Sequence, residues 1–366
     1  MRDATLVSRP EELEAAVFRM QGASRLAVDT EFMRESTYRP QLCLVQVASD
    51  SDCYLVDALA GLDLAGLHAV LVDRARHKIL HAARQDLEVL SQSGGVVPAP
   101  VFDTQVAAAL LGLPPQLGYA DLVARRLGHS IDKGQTRTDW SRRPLSDAQL
   151  AYAADDVHHL LTLHVDLAAE LDSRGRIPWH AEDCAALEDP ALYRTEPDDA
   201  WRRLKGLGRM KPAEQAIARA VAAWRERRAI ASDKPRGWIL SDEALYSLAT
   251  LAPATAAELE RVRGLPPAVI RKRGEELLEA IAAARSGASQ LTPVTLPPRP
   301  TPEQTRLIGA MQQRVRDAAT ALDMSAEVIA TRRDVEALVF GPREASAVIR
   351  GWRRDVIGNT LLSMLP

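Results

Sequence analysis

Asp29 and Glu31 stand two residues apart in the alternating run Arg25-Leu-Ala-Val-Asp-Thr-Glu31. In a strand, that spacing puts both carboxylates on one face, roughly 7 Å apart along the chain. Acids are disfavoured in strands, although a lone Asp-x-Glu also fits a solvated edge. Asp86 follows a short apolar run, Lys78-Ile-Leu-His81, and sits just inside a helix from about Arg84. Alone it fits a charge placed on the helix dipole. Tyr152 and Asp156 are four apart behind the capping box Ser146-Asp-Ala-Gln149, so they share one helix face. Asp155 is turned about 100° from Asp156, toward solvent.

In combination these residues suggest one chemistry. Asp29, Glu31, Asp86 and Asp156 are hard oxygen donors of the kind Mg²⁺ or Mn²⁺ prefers. Two divalent ions would offset four carboxylates. Two such ions about 3.5–4 Å apart can activate a water and stabilise the leaving 3′-oxygen of a phosphodiester. A phenol titrates near ~10, so Tyr152 is poorly suited to act as a base at neutral pH. It can orient a water by hydrogen bonding.

The elements around these residues mix strand and helix. Glu11 to Met20 reads as helix. The strands 25–31, 43–48 and 53–57 follow with tight connections, which predicts an antiparallel meander. Beyond Asp57 the order is helix, strand, helix, strand, helix, which predicts parallel strands covered by helices. Residues 129–144 are polar and aperiodic, a loop of uncommon length. The stripe Leu150, Ala154, Val157, Leu161, Val165, Ala168, Leu171 predicts one long helix. Residues 207–286 read as all-helical. Five prolines in 288–302 mark a linker, and Thr301-Pro-Glu-Gln304 caps a further helical segment.

Charge divides along the same lines. The chain has 366 residues and a formal net charge of −3. Residues 1–200 hold 19 Lys/Arg against 31 Asp/Glu, whereas residues 201–290 hold 17 against 10. An acidic, cation-dependent site joined to a basic module suits a polyanionic substrate. No apolar run is long enough to span a membrane. Three cysteines without metal spacing fit a reducing cytoplasm. No GxxxxGK[ST], GxSxG or Cys/His nucleophile setting occurs, so an ATP-driven motor is excluded.

The segments DTEF (29–32), HAARQDLEVL (81–90) and YAADD (152–156) resemble the three exonuclease motifs of the DEDD superfamily, tyrosine branch. Tyr38-Arg-Pro-Gln-Leu42 with Gln46, Asp103-Thr-Gln105 and Arg137-Thr-Asp-Trp140 extend the resemblance to the bacterial ribonuclease D family. Residues 207–286 resemble the HRDC domain, and 301–366, with Gly351-Trp-Arg353, resemble its more divergent second copy.

This resemblance implies an α/β ribonuclease H-like exonuclease domain (1–206), a mixed sheet flanked by helices. It implies two small all-α HRDC-like domains (207–287 and 301–366) joined by a Pro-rich linker (288–300). The implied enzyme is a 3′→5′ exoribonuclease, and a cytoplasmic monomer needing no ATP is expected. It would release nucleoside 5′-monophosphates and trim precursor tRNA and other structured RNAs with 3′ extensions. The family pattern has Asp29 bridging two metals, Glu31 and Asp156 serving the water-activating one, and Asp86 serving the other through water. Phe32, Gln46, His81, Arg137, Arg142 and Arg143 are the candidate RNA contacts. Arg202, Arg203, Lys205, Arg225, Arg227, Arg228, Arg271, Lys272 and Arg273 supply further positive charge. A DNA 3′ exonuclease uses the same acids. An RNA-binding adaptor has no need for four of them together.

Overall fold

The alternating runs of the first hundred residues pair into one six-stranded sheet in the computed structural model, which describes residues 4–131, 134–135, 138–287, 292–295 and 299–366. The strands are β1 (Thr5–Val7), β2 (Arg25–Met33), β3 (Gln41–Ala48), β4 (Cys53–Asp57), β5 (His77–Leu80) and β6 (Val101–Asp103), in the order β1-β4-β3-β2-β5-β6. β3 and β4 are antiparallel, while β1/β4, β2/β5 and β5/β6 are parallel. The sheet is therefore mixed, as the element order predicts. β1 has no counterpart in the sequence reading, because three residues are too few to show a period.

Both sheet faces are covered. Leu26, Val28, Val45, Val47 and Val56 pack on one side with α1 (Pro10–Gln21), α2 (Ala65–Val72) and α3 (Arg84–Gly94). Ala27, Ala48 and Ile79 face the other side, under α4 (Thr104–Leu110), α5 (Tyr119–Leu127), α6 (Asp147–His158) and α7 (Leu160–Ser173). A strand buried on both faces reads as a continuous apolar run, which explains Leu42 to Ala48.

The stripe from Leu150 to Leu171 predicts one helix, but the structure has two, broken at His159. The Tyr119 hydroxyl enters the backbone ladder there. It donates to the Asp155 carbonyl at 3.1 Å and accepts from the His159 N–H at 3.2 Å. Side-chain insertion of this kind bends a helix. The apolar stripe continues across the break, so periodicity alone does not reveal it.

The chain divides into two compact units. One comprises Met1–Met33, Leu42–Tyr193 and Arg299–Pro366; the other comprises Arg34–Gln41 and Arg194–Pro298. In the first, α8 (Ile177–Leu187) meets the C-terminal segment. Trp179 and Trp352 stack with centroids 4.6 Å apart and 9° between planes. Asp183 accepts from Arg353 at 2.6 and 3.0 Å and from Trp352 Nε1 at 3.2 Å. Ile308, Met311 and Val315 belong to the same apolar cluster as Leu163 and Leu167. Residues 299–366 thus share a core with the sheet. Asp183→Ala is expected to cost ~1–2 kcal/mol, because these hydrogen bonds are charge-assisted and partly buried. A denaturant titration checks this.

The second unit is built from α9 (Pro212–Ser232), α10 (Arg236–Ile239), α11 (Asp242–Leu251), α12 (Ala256–Leu259) and α13 (Pro267–Gly287). Its core holds Ile217, Val221, Leu245, Leu248, Leu277 and Ile281. Tyr38 joins it by donating to the buried Glu226 at 2.5 Å. No helix of the described residues is long and apolar enough to cross a membrane.

Candidate active site

Pairing between β2 and β5 runs only from Arg25↔His77 to Ala27↔Ile79. β2 continues to Met33. Asp29 and Glu31 therefore lie on a strand that projects past its neighbour, on the face turned to α6. There Asp29, Glu31 and Asp156 each present a carboxylate oxygen, all within 4.8 Å of one another.

Asp86 arrives from the opposite side. It lies in the first turn of α3, whose Leu87 and Leu90 pack under the other face of the sheet. Its Oδ1 accepts from Thr30 Oγ1 at 2.6 Å. It stands outside the trio, yet its charge is felt by all three members. The turn before α3 is held by Asp103, whose carboxylate accepts from the N–H groups of Ala82, Ala83 and Gln105 at 3.0, 2.8 and 2.8 Å. Ala82 has a φ of 54°, a left-handed conformation that costs a non-glycine residue energy. Asp103 and Thr30 are supports that spacing could not reveal, because they act from a different strand and a different face.

Burial, and then mutual repulsion, sets the protonation of this cluster. Asp29 is held well above the usual carboxylate range, by burial first and then by Asp86, Asp156 and Glu31. Burial, with Asp156 and Asp86, pushes Glu31 to about 9. Burial raises Asp86 to about 7 against the opposing Thr30 hydrogen bond. Burial also raises Asp156 to about 7, against a hydrogen bond donated by Tyr152. Without cations the folded protein binds these protons more tightly than the unfolded chain does. That stability is present below about pH 4 and is lost as pH rises through about 7 to 9. Glu31→Gln is therefore expected to raise the metal-free melting temperature by ~5 °C near pH ~8, and by less near pH ~5. Melting curves in EDTA check both.

Tyr152 is framed by the long loop. Trp140, which is buried, lies beside it with ring centroids 6.0 Å apart. Thr138 accepts from Gln149 Nε2 at 3.1 Å. Asp155 is half-buried and raises Asp156 by repulsion.

The candidate RNA contacts separate into accessible and committed residues. Phe32 is half-buried on the face opposite Glu31. Arg142 is 83% exposed and pairs with Asp139 at 3.1 Å. Arg137 lies outside the described residues. Three others are engaged within the protein. Gln46 is fully buried, because β3 is an inner strand covered on both faces. His81 uses both ring nitrogens inside the protein, at 2.9 Å from Thr104 Oγ1 and 2.9 Å from the Leu117 carbonyl. Arg143 fastens the loop. It grips Asp57 at 2.7 and 2.6 Å and donates to the carbonyls of Cys43, Trp140 and Arg142.

In the helical unit, Arg225 is also committed. It is buried and bonds Asp242 and the Leu240 carbonyl. Arg228 and Arg273 both pair with Glu276. Lys205, Arg271 and Lys272 are exposed.

The comparisons with known proteins agree with this geometry. Residues 4–172 match the 3′-5′ exonuclease family and residues 214–281 match the HRDC domain. A ribonuclease D from Acidiphilium cryptum is 42% identical over 99% of this chain and 93% of its own length. The chain belongs to the ribonuclease D family. One from Gluconacetobacter diazotrophicus is 39% identical, with the same coverage of both chains. The crystal structure of Escherichia coli RNase D, an exoribonuclease involved in structured RNA processing, superposes with a TM-score of 0.90. It is 29% identical and covers 99% of this chain and 98% of its own. The chain is accordingly a hydrolase, a ribonuclease D-type 3′→5′ exoribonuclease.

Proposed function

We propose that Asp29, Glu31, Asp86 and Asp156 hold two divalent cations, Mg²⁺ or Mn²⁺, and that the enzyme trims 3′-extended tRNA precursors and other structured RNAs. The observation that carries this reading is the convergence of three carboxylates within 4.8 Å on the overhang of β2, with Asp86 beside them. The donors are all oxygens, as hard cations prefer. When bound, such ions supply Lewis acidity and charge compensation for phosphodiester hydrolysis. Asp29 feels every other acid of the cluster and is suited to be the shared ligand. Tyr152 donates a hydrogen bond to Asp156. Its phenol is thereby fixed where a water must be oriented for attack on the terminal phosphodiester. The products are nucleoside 5′-monophosphates.

Phe32 offers a stacking face to the terminal base and Arg142 a charge to the phosphates. Exposed cations such as Lys205, Arg271 and Lys272 supply sequence-independent grip. The enzyme on this reading works as a cytoplasmic monomer without ATP.

A time course on 5′-labelled tRNA with a 3′ extension tests the substrate. The expected result with Mg²⁺ or Mn²⁺ is a ladder shortening one nucleotide at a time and pausing at the mature end. Digestion that runs past that end without pause would remove the tRNA assignment. Equal cutting of a strand ending in a 2′-deoxynucleotide would widen the substrate to DNA.

A further inference from the structure

We infer that Tyr119 is a positioning residue for the reaction: its hydroxyl, inserted into the backbone ladder where α6 ends, sets the aim of Asp156. The inference rests on the reading of Asp156 as a cation ligand. In an unbroken helix the His159 N–H would donate to the Asp155 carbonyl. Here the phenol oxygen stands between them, accepting from His159 N at 3.2 Å and donating to Asp155 O at 3.1 Å. The ladder resumes at once, with Leu163 N donating to His159 O at 2.9 Å. The carbonyl that the phenol holds belongs to the peptide group joining Asp155 to Asp156. Its orientation is therefore tied to the direction of the Asp156 side chain.

The phenol is itself anchored. Tyr119 is the first residue of α5. Two residues earlier, the Leu117 carbonyl bonds His81 Nε2 at 2.9 Å and accepts from Gln105 Nε2 at 3.1 Å. The Tyr119 and His81 rings lie 5.7 Å apart. His81, just past β5, and Gln105, in the first turn of α4, thus brace the segment that bends α6. This gives His81 a role that does not touch RNA. The hydroxyl donates once and accepts once within the protein. It serves geometry, and Tyr152 remains the phenol that faces the reaction.

Tyr119→Phe removes only the oxygen. The ring still packs, and His159 N can close directly on Asp155 O, so no backbone group is orphaned. The helix then runs straight and Asp156 shifts. A displacement of about 1 Å at a catalytic group can cost ~10²-fold.

The test compares wild type, Tyr119→Phe and Asp156→Asn by steady-state kinetics on 5′-labelled RNA, by Mn²⁺ titration followed by electron paramagnetic resonance, and by metal-free melting. Tyr119→Phe is expected to lower kcat by ~10-fold or more with KM within ~2-fold. It is also expected to weaken Mn²⁺ binding while the metal-free melting temperature stays within ~2 °C of wild type. Unchanged kcat and Mn²⁺ affinity would overturn the inference. So would a large fall in melting temperature, which would mark the hydroxyl as a stability element. If Asp156→Asn keeps full activity and Mn²⁺ affinity, the ligand reading itself fails. If Asp156→Asn loses both while Tyr119→Phe loses neither, only the role of Tyr119 fails.

Discussion

Asp29→Asn is expected to reduce turnover by at least ~10³-fold while leaving RNA affinity in EDTA nearly unchanged. The substitution is close to isosteric, so the packing of β2 between the two layers is kept. The carboxylate on which the other three acids act is removed. On the proposed reading the cations would lose their common ligand, and the developing charge on the phosphodiester would no longer be compensated. On the proposed reading, grip on the RNA is supplied by basic side chains elsewhere, so it should persist. Single-turnover rates and filter binding in EDTA separate the two effects. Activity within ~10-fold of wild type would reject the site assignment.

Arg143→Ala is expected to cost ~3 kcal/mol of stability and to lower turnover. Its guanidinium makes two bonds to Asp57, whose side chain is only 9% exposed. Truncation leaves that carboxylate nearly buried without its cation, which is the costly way to break such a pair. It also frees the carbonyls of Cys43 and Trp140. The loop that seats Trp140 against Tyr152 then loses its fastening, and the phenol loses a fixed orientation. Arg142→Ala is the control from the adjacent position. Its side chain is exposed, so stability should stay within ~0.5 kcal/mol, and RNA binding should weaken in a salt-dependent way. Denaturant titrations of both variants check the contrast. Equal stability of the two would contradict the role given to Arg143.

The acidic constellation was legible because its residues recur at the spacings of strand and helix. Asp29 and Glu31 share a strand face by a period of two, and Tyr152 and Asp156 share a helix face by a separation of four. Their convergence is not a property of either period. It follows from β2 outrunning β5, which only the strand register reveals. The mixed sheet was legible for a similar reason, since the element order dictates parallel pairing after β4. The RNA contacts were less legible because residue type does not report commitment. Arg142 and Arg143 are neighbours of one type, and one is exposed while the other is fastened to Asp57. Gln46 entered as a candidate contact through the family resemblance, and its strand is covered on both sides. The break at His159 was hidden because the inserted group comes from Tyr119, forty residues upstream.

The most direct test of the site is a Mn²⁺ titration of the metal-free protein near neutral pH in two buffers of different ionisation enthalpy. Buried carboxyls raised to about 7 and about 9 hold protons at that pH. Cation binding must displace them. The predicted result is Mn²⁺ uptake with proton release, both much reduced in Asp29→Asn. Absence of uptake, or uptake without proton release and indifferent to Asp29, would contradict the assignment of this acidic cluster as the catalytic metal centre.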